Sequence, residues 1–312
     1  MDDVKWGLVT TFLGPSSDIL KFAAYHLDKG AHRLFIFLDD PDSDAYAPLK
    51  AHSKIRVFAC DTAHWKKLGG KRPVKHQVRQ SRNATYAYRR KQDVAWLGHI
   101  DVDEFLVTDA PVGRHLGKLA EGAICARMRP MEQLAGDGTA FKAFLPSGPA
   151  RKALVAQLYP TYGSYLRAGF LSHVAGKIFV RTGLQDMHLR IHNAFQGDDM
   201  NPGEVELPGI DLAHCHAKTW DDWMASYQFR LEQGSYRSEI PSVHSTEKGG
   251  LTIHEMFCAI EAHDGAAGLR AFYDEVAGDS PQLRARLEDH GALRLIDLDL
   301  DATVARHFPQ IT

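Results

Sequence analysis

Val94-Ala95-Trp96-Leu97-Gly98-His99-Ile100-Asp101-Val102-Asp103-Glu104 is an apolar run that ends in three carboxylates. The run has the composition of a buried strand. Acids clustered at a strand end repel one another unless a cation or a paired base neutralises them. A divalent metal meets that need, because Mg²⁺ and Mn²⁺ prefer oxygen ligands. They take one or two protein carboxylates and leave their other positions to water and a substrate's phosphates. Asp101 and Asp103 are therefore candidate ligands. The plain alternative is a turn with solvated acids, so the rest of the chain has to decide.

Upstream, short apolar runs alternate with helical patterns. Trp6 to Phe12 reads as a strand, and Ser16 or Ser17 caps a helix with Ile19, Leu20, Ala23, Ala24 and Leu27 at helical spacing, stopped by Gly30. Strands follow at Leu34 to Leu38 and Ile55 to Ala59, with a short helix between them, and Pro73 opens a long helix to about Lys91. This alternation predicts an α/β fold with a mostly parallel, Rossmann-related sheet covered by helices. Ligands of such sheets bind beyond the carboxyl ends of the strands, where Asp39 and Asp101 fall. Downstream, Ala123 to Met128, Lys177 to Arg181 and residues 209 to 216 read as strands. Residues 136 to 176 read as loops and short helices, Thr219 caps a helix, and residues 252 to 290 hold two or three amphipathic helices. The expected organisation is one domain over residues 1–235 with a helical extension over 236–312.

Composition excludes several classes. A formal net charge of −2 over 312 residues gives no global field for nucleic acid or an anionic membrane. The start lacks a secretory signal, no run is long enough to span a bilayer, and Cys60, Cys125, Cys215 and Cys258 show no paired spacing. A cytoplasmic protein is expected, with peripheral membrane association left open.

Between Asp61 and Asp93 there is no acidic residue, while Lys66, Lys67, Lys71, Arg72, Lys75, Arg79, Arg82, Arg89, Arg90 and Lys91 are basic. Such a run beside an acidic strand end suits a polyphosphate bridged to a metal; a solvated helix face is the alternative. Asn83 gains little from a helix interior, which a ligand would explain. Asp39 follows its strand directly and is placed to accept hydrogen bonds from a ribose or a base, whereas Asp42 and Asp44 read as turn residues. His214 and His216 alternate on one strand face, and an imidazole ligand points to Mn²⁺ over Mg²⁺. His188 and His192 form a weaker pair, on one face if the segment is helical. Asp299-Leu300-Asp301-Ala302-Thr303 matches a phosphatase nucleophile loop, but too little chain follows it for that fold.

These residues together resemble glycosyltransferase family 2-like proteins of GT-A fold, in a bacterial branch whose strand ends Asp-Val-Asp-Glu-Phe. Here that is Asp101-Val102-Asp103-Glu104-Phe105, with Tyr25-His26, Phe35-Ile36-Phe37, Arg82-Asn83, Lys177-Ile178-Phe179-Val180-Arg181, Ile191-His192-Asn193 and His214-Cys215-His216 in matching order. The resemblance implies a nucleotide-diphosphate sugar site with a UDP-linked donor expected. Asp101 and Asp103 would hold the metal, with His214 as a further ligand. Asp39 would face the nucleoside, and Arg82 and Asn83 would touch the donor. The family's Asn-Glu after the first strand is replaced by Thr11-Phe12-Leu13-Gly14-Pro15, so Thr11 takes that loop's place. The Tyr of the late His-Tyr pair is Cys215.

Sugar transfer needs the leaving diphosphate's charge stabilised, and an inverting reaction needs a carboxylate to take the acceptor's proton. Glu132 and Asp211 are candidate bases, with Asp221 and Asp222 behind them. The acceptor, whether a glycan, a lipid-linked or a protein hydroxyl, is open. Two other readings compete. A nucleotidyltransferase would want a Gly-rich loop after the first strand, and Gly14 alone is not one. A noncatalytic carbohydrate-binding protein would use Trp220, Trp223, Tyr227 and Tyr236 for sugar stacking, though a helix core is the commoner use of such residues.

Overall fold

The structure, a computed structural model, describes residues 3–90, 93–166, 168–243 and 250–311. The chain divides into two compact units. The first comprises residues 1–129, 175–212 and 298–312; the second comprises 130–174 and 213–297. The division therefore does not fall at the expected boundary near residue 235, and the C-terminal helix belongs with the first unit.

In the first unit β1 (Trp6–Phe12), α1 (Ser16–Asp28), β2 (Arg33–Leu38), α2 (Tyr46–Ala51), β3 (Ile55–Ala59), α3 (Thr62–Lys67), α4 (His76–Arg89) and β4 (Trp96–His99) follow one another. β5 (Glu104–Thr108), α5 (Val112–Gly117) and the start of β6 (Cys125–Gln133) come next. The α/β class expected from the sequence is the one adopted. Strands β3, β2, β1 and β4 lie side by side and parallel, in register Leu8↔Leu34, Leu34↔Ile55 and Leu8↔Gly98. Beyond β4 the pairing turns antiparallel, through β8 (Lys177–Arg181) to β6. Every residue of β1 is buried, as expected of a strand covered on both faces. Alternation assigns the two faces: Leu8, Leu34 and Ile36 pack with Ile19, Ala23 and Leu27 of α1. Val9, Phe35 and Phe37 pack with Ala84, Ala87 and Tyr88 of α4. Gly98 is required where three strands meet, because a Cβ there would lie 2.8 Å from Leu8 and 2.9 Å from Phe179.

Two helix starts differ from the sequence reading. Pro15, not a serine, is the N-cap of α1, and no side chain caps it. Pro73 stands before α4, whose N-cap is Lys75. The Arg79 guanidinium bonds the Pro73 and Val74 carbonyls at 3.0 and 2.7 Å, which holds those peptides outside the helix. Short strands β9 (Met187–Leu189), β10 (Ala194–Gln196) and β11 (Asp199–Met200) form an antiparallel sheet of their own. The His188–His192 segment is thus a hairpin and not a helix. β12 (Glu204–His214) carries the chain onward, starting earlier than expected.

In the second unit the end of β6 pairs with β7 (Ala140–Lys142), at Glu132↔Lys142. α6 (Pro149–Leu158), α7 (Trp220–Glu232), α8 (Ile253–Val276, broken at Gly265) and α9 (Pro281–Asp289) surround an aromatic core, and β13 (Leu293–Leu295) pairs with β7. Trp223, Tyr227, Tyr236, Phe257 and Phe272 are buried together, and the Trp223 indole donates to the Tyr236 hydroxyl at 3.1 Å. These aromatics are helix core, not a sugar platform. Thr219 caps α7 as expected, accepting from the Asp222 amide. Finally α10 (Leu300–His307), in the first unit, is tied to α1 by Lys21–Asp301 and Arg306–Asp28 ion pairs. Among the described residues no helix is long and apolar enough to cross a membrane.

Candidate functional site

Because β1, β2, β3 and β4 are parallel, their carboxyl ends share one edge, and Asp39, Asp61 and Asp101 follow β2, β3 and β4 there. Two consecutive residues of α4 reach both key carboxylates. Arg79 Nε donates to Asp39 Oδ2 at 2.7 Å, and Gln80 Nε2 donates to Asp101 Oδ1 at 2.6 Å. Arg79 and Gln80 are themselves buried.

At Asp101 the chain makes a tight turn, closed by Glu104 N–H to the Asp101 carbonyl at 3.2 Å. The Glu104 carboxylate reaches back to accept from the Asp101 amide at 2.7 Å. Lys177, at the start of β8 and fully buried, places its ammonium 2.6 Å from Asp101 Oδ2 and 3.5 Å from Glu104. Burial opposes charging the ammonium, yet Asp101 and then Glu104 hold its pKa above the ordinary lysine value. Part of the neutralisation that the clustered acids demand is thus supplied by a paired base.

The cluster still fits a divalent ion. Asp101, Glu104 and Asp103 all act on the one Lys177 ammonium, so the turn gathers three carboxylates about a single buried base. Both Asp101 oxygens accept from a nitrogen, which fixes that carboxylate, and Asp103 sits half-buried two residues on in the same turn. The turn therefore gathers hard oxygen donors of the kind a divalent ion takes.

Around this cluster stand histidines held neutral. His99 Nδ1 bonds the Arg190 carbonyl at 3.0 Å, and burial, then Lys177, lowers its pKa to about 4. His192 Nδ1 bonds the Gly176 carbonyl at 3.0 Å, and the same causes lower it to about 4. The motif residues Tyr25 and His26 serve the fold. The Tyr25 hydroxyl donates to the Leu106 carbonyl, and His26 accepts from the Leu106 amide, tying α1 to the strand after the acidic turn.

Asp39 is buried and accepts from Arg72 as well as Arg79. It borders a pocket of about 730 Å³ lined also by Cys60, Asp61, Trp65, Lys66 and Arg72. That volume is within the range of small-molecule sites. The other face of α4 borders a second groove of about 1100 Å³, on whose wall Arg82 lies, exposed. Arg82 therefore does not line the Asp39 pocket. Asn83 is fully buried: it donates to Thr11 Oγ1 at 3.1 Å and its Oδ1 lies 2.8 Å from His64 Nε2. Its presence inside a helix is explained by these partners, and Thr11 is likewise an internal acceptor on the α4 face of β1. The basic run accordingly splits. Arg72 and Arg79 hold Asp39, Lys66 and Lys71 line the first pocket, and Lys67, Arg82 and Arg89 line the second. Arg90 stacks over Phe58 and Tyr86, and Lys91 lies outside the described residues.

In the second unit Glu132 is buried against Lys142 Nζ at 2.6 Å and accepts from the Leu171 and Ser172 amides at 3.0 and 2.7 Å. Burial opposes ionisation there, but Lys142 and His216 bring its pKa down to about 2. A carboxylate so held is a weak proton acceptor at neutral pH. Asp211, in the first unit, is exposed on β12. His214 is buried at the end of β12; its ring lies 5.6 Å from that of His173 and 4.8 Å from that of His216. His216 follows the strand end instead of continuing it.

No family profile matches the chain, and no curated protein matches it. Among solved structures it is similar to GalNAc-T7 crystallised with UDP, GalNAc and Mn²⁺, at 13% identity over 98% of this chain and 59% of that one, with a TM-score of 0.37. It is also similar to the galactosyltransferase LgtC in complex with donor and acceptor sugar analogues, at 13% identity over 56% of this chain and 57% of that one, with a TM-score of 0.28. The chain spans less than two thirds of either protein's length.

Sequence reasoning gives no role to Lys177 or Gln80 and counts Glu104 only among the clustered acids. Lys177 and Glu104 both lie inside motifs, but their pairing across 73 positions has no local signal.

Proposed function

We propose that the protein is a glycosyltransferase of GT-A type that uses a nucleotide-diphosphate sugar, with a UDP-linked donor. The observation that carries this reading is the pair of bonds from Arg79 and Gln80, which fix Asp39 and Asp101 along one edge of the parallel strands. In the proposal the nucleoside enters the pocket beside Asp39, where Trp65 and Cys60 form an apolar wall and Asp39 accepts from ribose or base. Lys66, Lys71 and Arg72 attract the diphosphate. Asp103 and Asp101 hold the metal, Mn²⁺ or Mg²⁺, with His214 as an additional ligand on the strength of the sequence motif alone. When bound, that ion supplies Lewis-acid stabilisation of the leaving diphosphate. Lys177 fixes the Asp101 carboxylate so that it need not reorganise when donor arrives. Of the two base candidates we assign acceptor deprotonation to Asp211, which is exposed, because Glu132 is saturated by Lys142 and two amides.

The test is donor turnover. Incubated with UDP-sugars and Mn²⁺, the protein should release UDP slowly even without acceptor, by transfer to water. Asp101→Asn should abolish the release, and Glu132→Gln, if it folds, should retain it. No release from any nucleotide sugar would overturn the reading.

A further inference from the structure

The second groove of the first unit, with a volume of about 1100 Å³, is lined among the described residues by four cations: Lys67 of α3, Arg82 and Arg89 of α4, and Arg190 of the β9–β10 hairpin, beside His188 and His192. Asp198 is the one acidic side chain on its wall among the described residues. None of Lys67, Arg82, Arg89 or Arg190 has a carboxylate partner among those residues. Arg89 bonds the ring of His188 at 3.0 Å, and Arg190 lies 4.3 Å over the face of Phe195. Unpaired cations crowded along a concave wall raise the potential there and favour an anion. Guanidinium groups also match carboxylate geometry in two-point hydrogen bonds.

The groove is elongated. Arg82 and Arg89 are seven residues apart on one helix, about 10 Å along its axis. Gln77, Ser81 and Thr85, one turn apart, add a row of polar groups to the same wall, and Tyr86 and Phe195 add ring surface. His192, on its wall, bonds the carbonyl of Gly176 at 3.0 Å, and the next residue is Lys177, whose ammonium holds Asp101. Part of the groove wall is therefore one residue from the base of the acidic cluster.

We infer that this groove binds an acidic saccharide, a chain of sugar rings carrying carboxylates, as the acceptor. Arg82 and Arg89 meet anionic groups on rings separated by one residue of the chain, and Tyr86 and Phe195, already covered on one side by Arg90 and Arg190, pack against the sugar with the ring surface that remains. A linear polyanion without sugar rings would satisfy the cations alone, so the aromatic walls favour the saccharide. The inference rests on the transferase reading for the word acceptor, but the binding itself does not.

Titration calorimetry on the full chain at low salt tests it, with tetragalacturonate, neutral maltotetraose and an eight-residue oligothymidylate as probes. Tetragalacturonate should bind measurably and weaken at least tenfold in the Arg82→Ala/Arg89→Ala double variant, whose changes are at exposed positions. Maltotetraose should not bind, and oligothymidylate should bind more weakly than tetragalacturonate. Equal tetragalacturonate affinity in wild type and double variant, binding of maltotetraose at the same strength, or tighter oligothymidylate binding would each overturn the inference. UDP binding with Mn²⁺, measured on the same double variant, keeps the two proposals apart. The double variant should keep wild-type UDP binding while losing tetragalacturonate; if wild type binds UDP with Mn²⁺ but does not bind tetragalacturonate, the acceptor inference falls and the donor site stands.

Discussion

Lys177 Nζ lies 2.6 Å from Asp101 Oδ2 and 3.5 Å from the buried Glu104 carboxylate, so one internal ammonium holds together the turn on which the candidate metal ligands sit. Removing it would leave two carboxylates facing each other with little solvent. We expect Lys177→Met to cost about 3 kcal/mol or more at pH 7, as broken buried pairs do. The deficit should shrink below about pH 4, where carboxyl groups protonate. Denaturant unfolding at both pH values checks this, and an equal deficit at both would contradict it.

The buried network Thr11–Asn83–His64 gives Asn83 a structural part. Asn83→Ala would strand Thr11 and His64 and should lower stability by about 1–3 kcal/mol. Arg82→Ala, one residue away but exposed, should change stability by less than about 0.5 kcal/mol. Thermal unfolding of the two variants side by side separates the roles.

Asp39 is predicted to serve the nucleoside and not the metal. Asp39→Asn should weaken UDP binding at least tenfold while Mn²⁺ titration in the presence of pyrophosphate stays within twofold of wild type. Loss of metal binding as severe as in Asp101→Asn would show that the two carboxylates are not divided in this way.

His26 and His99 are buried, with pKa values lowered by burial to about 3 and about 4. Their folded values lie below the unfolded one of about 6.5, so the unfolded chain binds more protons as pH falls. Stability present above pH 6.5 is then lost by about 1.4 kcal/mol per pH unit for each histidine, down to its folded pKa. Imidazole nitrogen chemical shifts should show both rings neutral at pH 5.5. His26 should carry its proton on Nδ1, which bonds the Phe22 carbonyl, leaving Nε2 to accept from Leu106.

What could be read in the sequence was what local pattern encodes. The alternation of apolar strands and helices placed β1, β3 and β8 at or very near their observed bounds, and it put Asp39 and Asp101 on a common edge because parallel strands leave no other choice. What could not be read was tertiary pairing. Lys177 looks like the polar start of an apolar strand, Glu132 looks like an available base until Lys142 is seen across the β6–β7 ladder, and Asn83 looks like a ligand contact until Thr11 is seen beneath it. The start of α4 was missed because Arg79 captures the Pro73 and Val74 carbonyls, a side-chain effect that proline propensity does not encode. Arg82 and Asn83, adjacent in sequence, point to different surroundings, as neighbours on a helix must.

In the proposed function Asp103 and Asp101 would hold a divalent ion, and nucleoside diphosphate binding would depend on it. Calorimetric titration of UDP into the protein, with Mn²⁺ and with chelator, measures it directly. The account predicts that wild type binds UDP at least tenfold more tightly with Mn²⁺, and that Asp103→Ala, still folded, shows no such difference. Equal UDP affinity with and without Mn²⁺ in the wild type would contradict it.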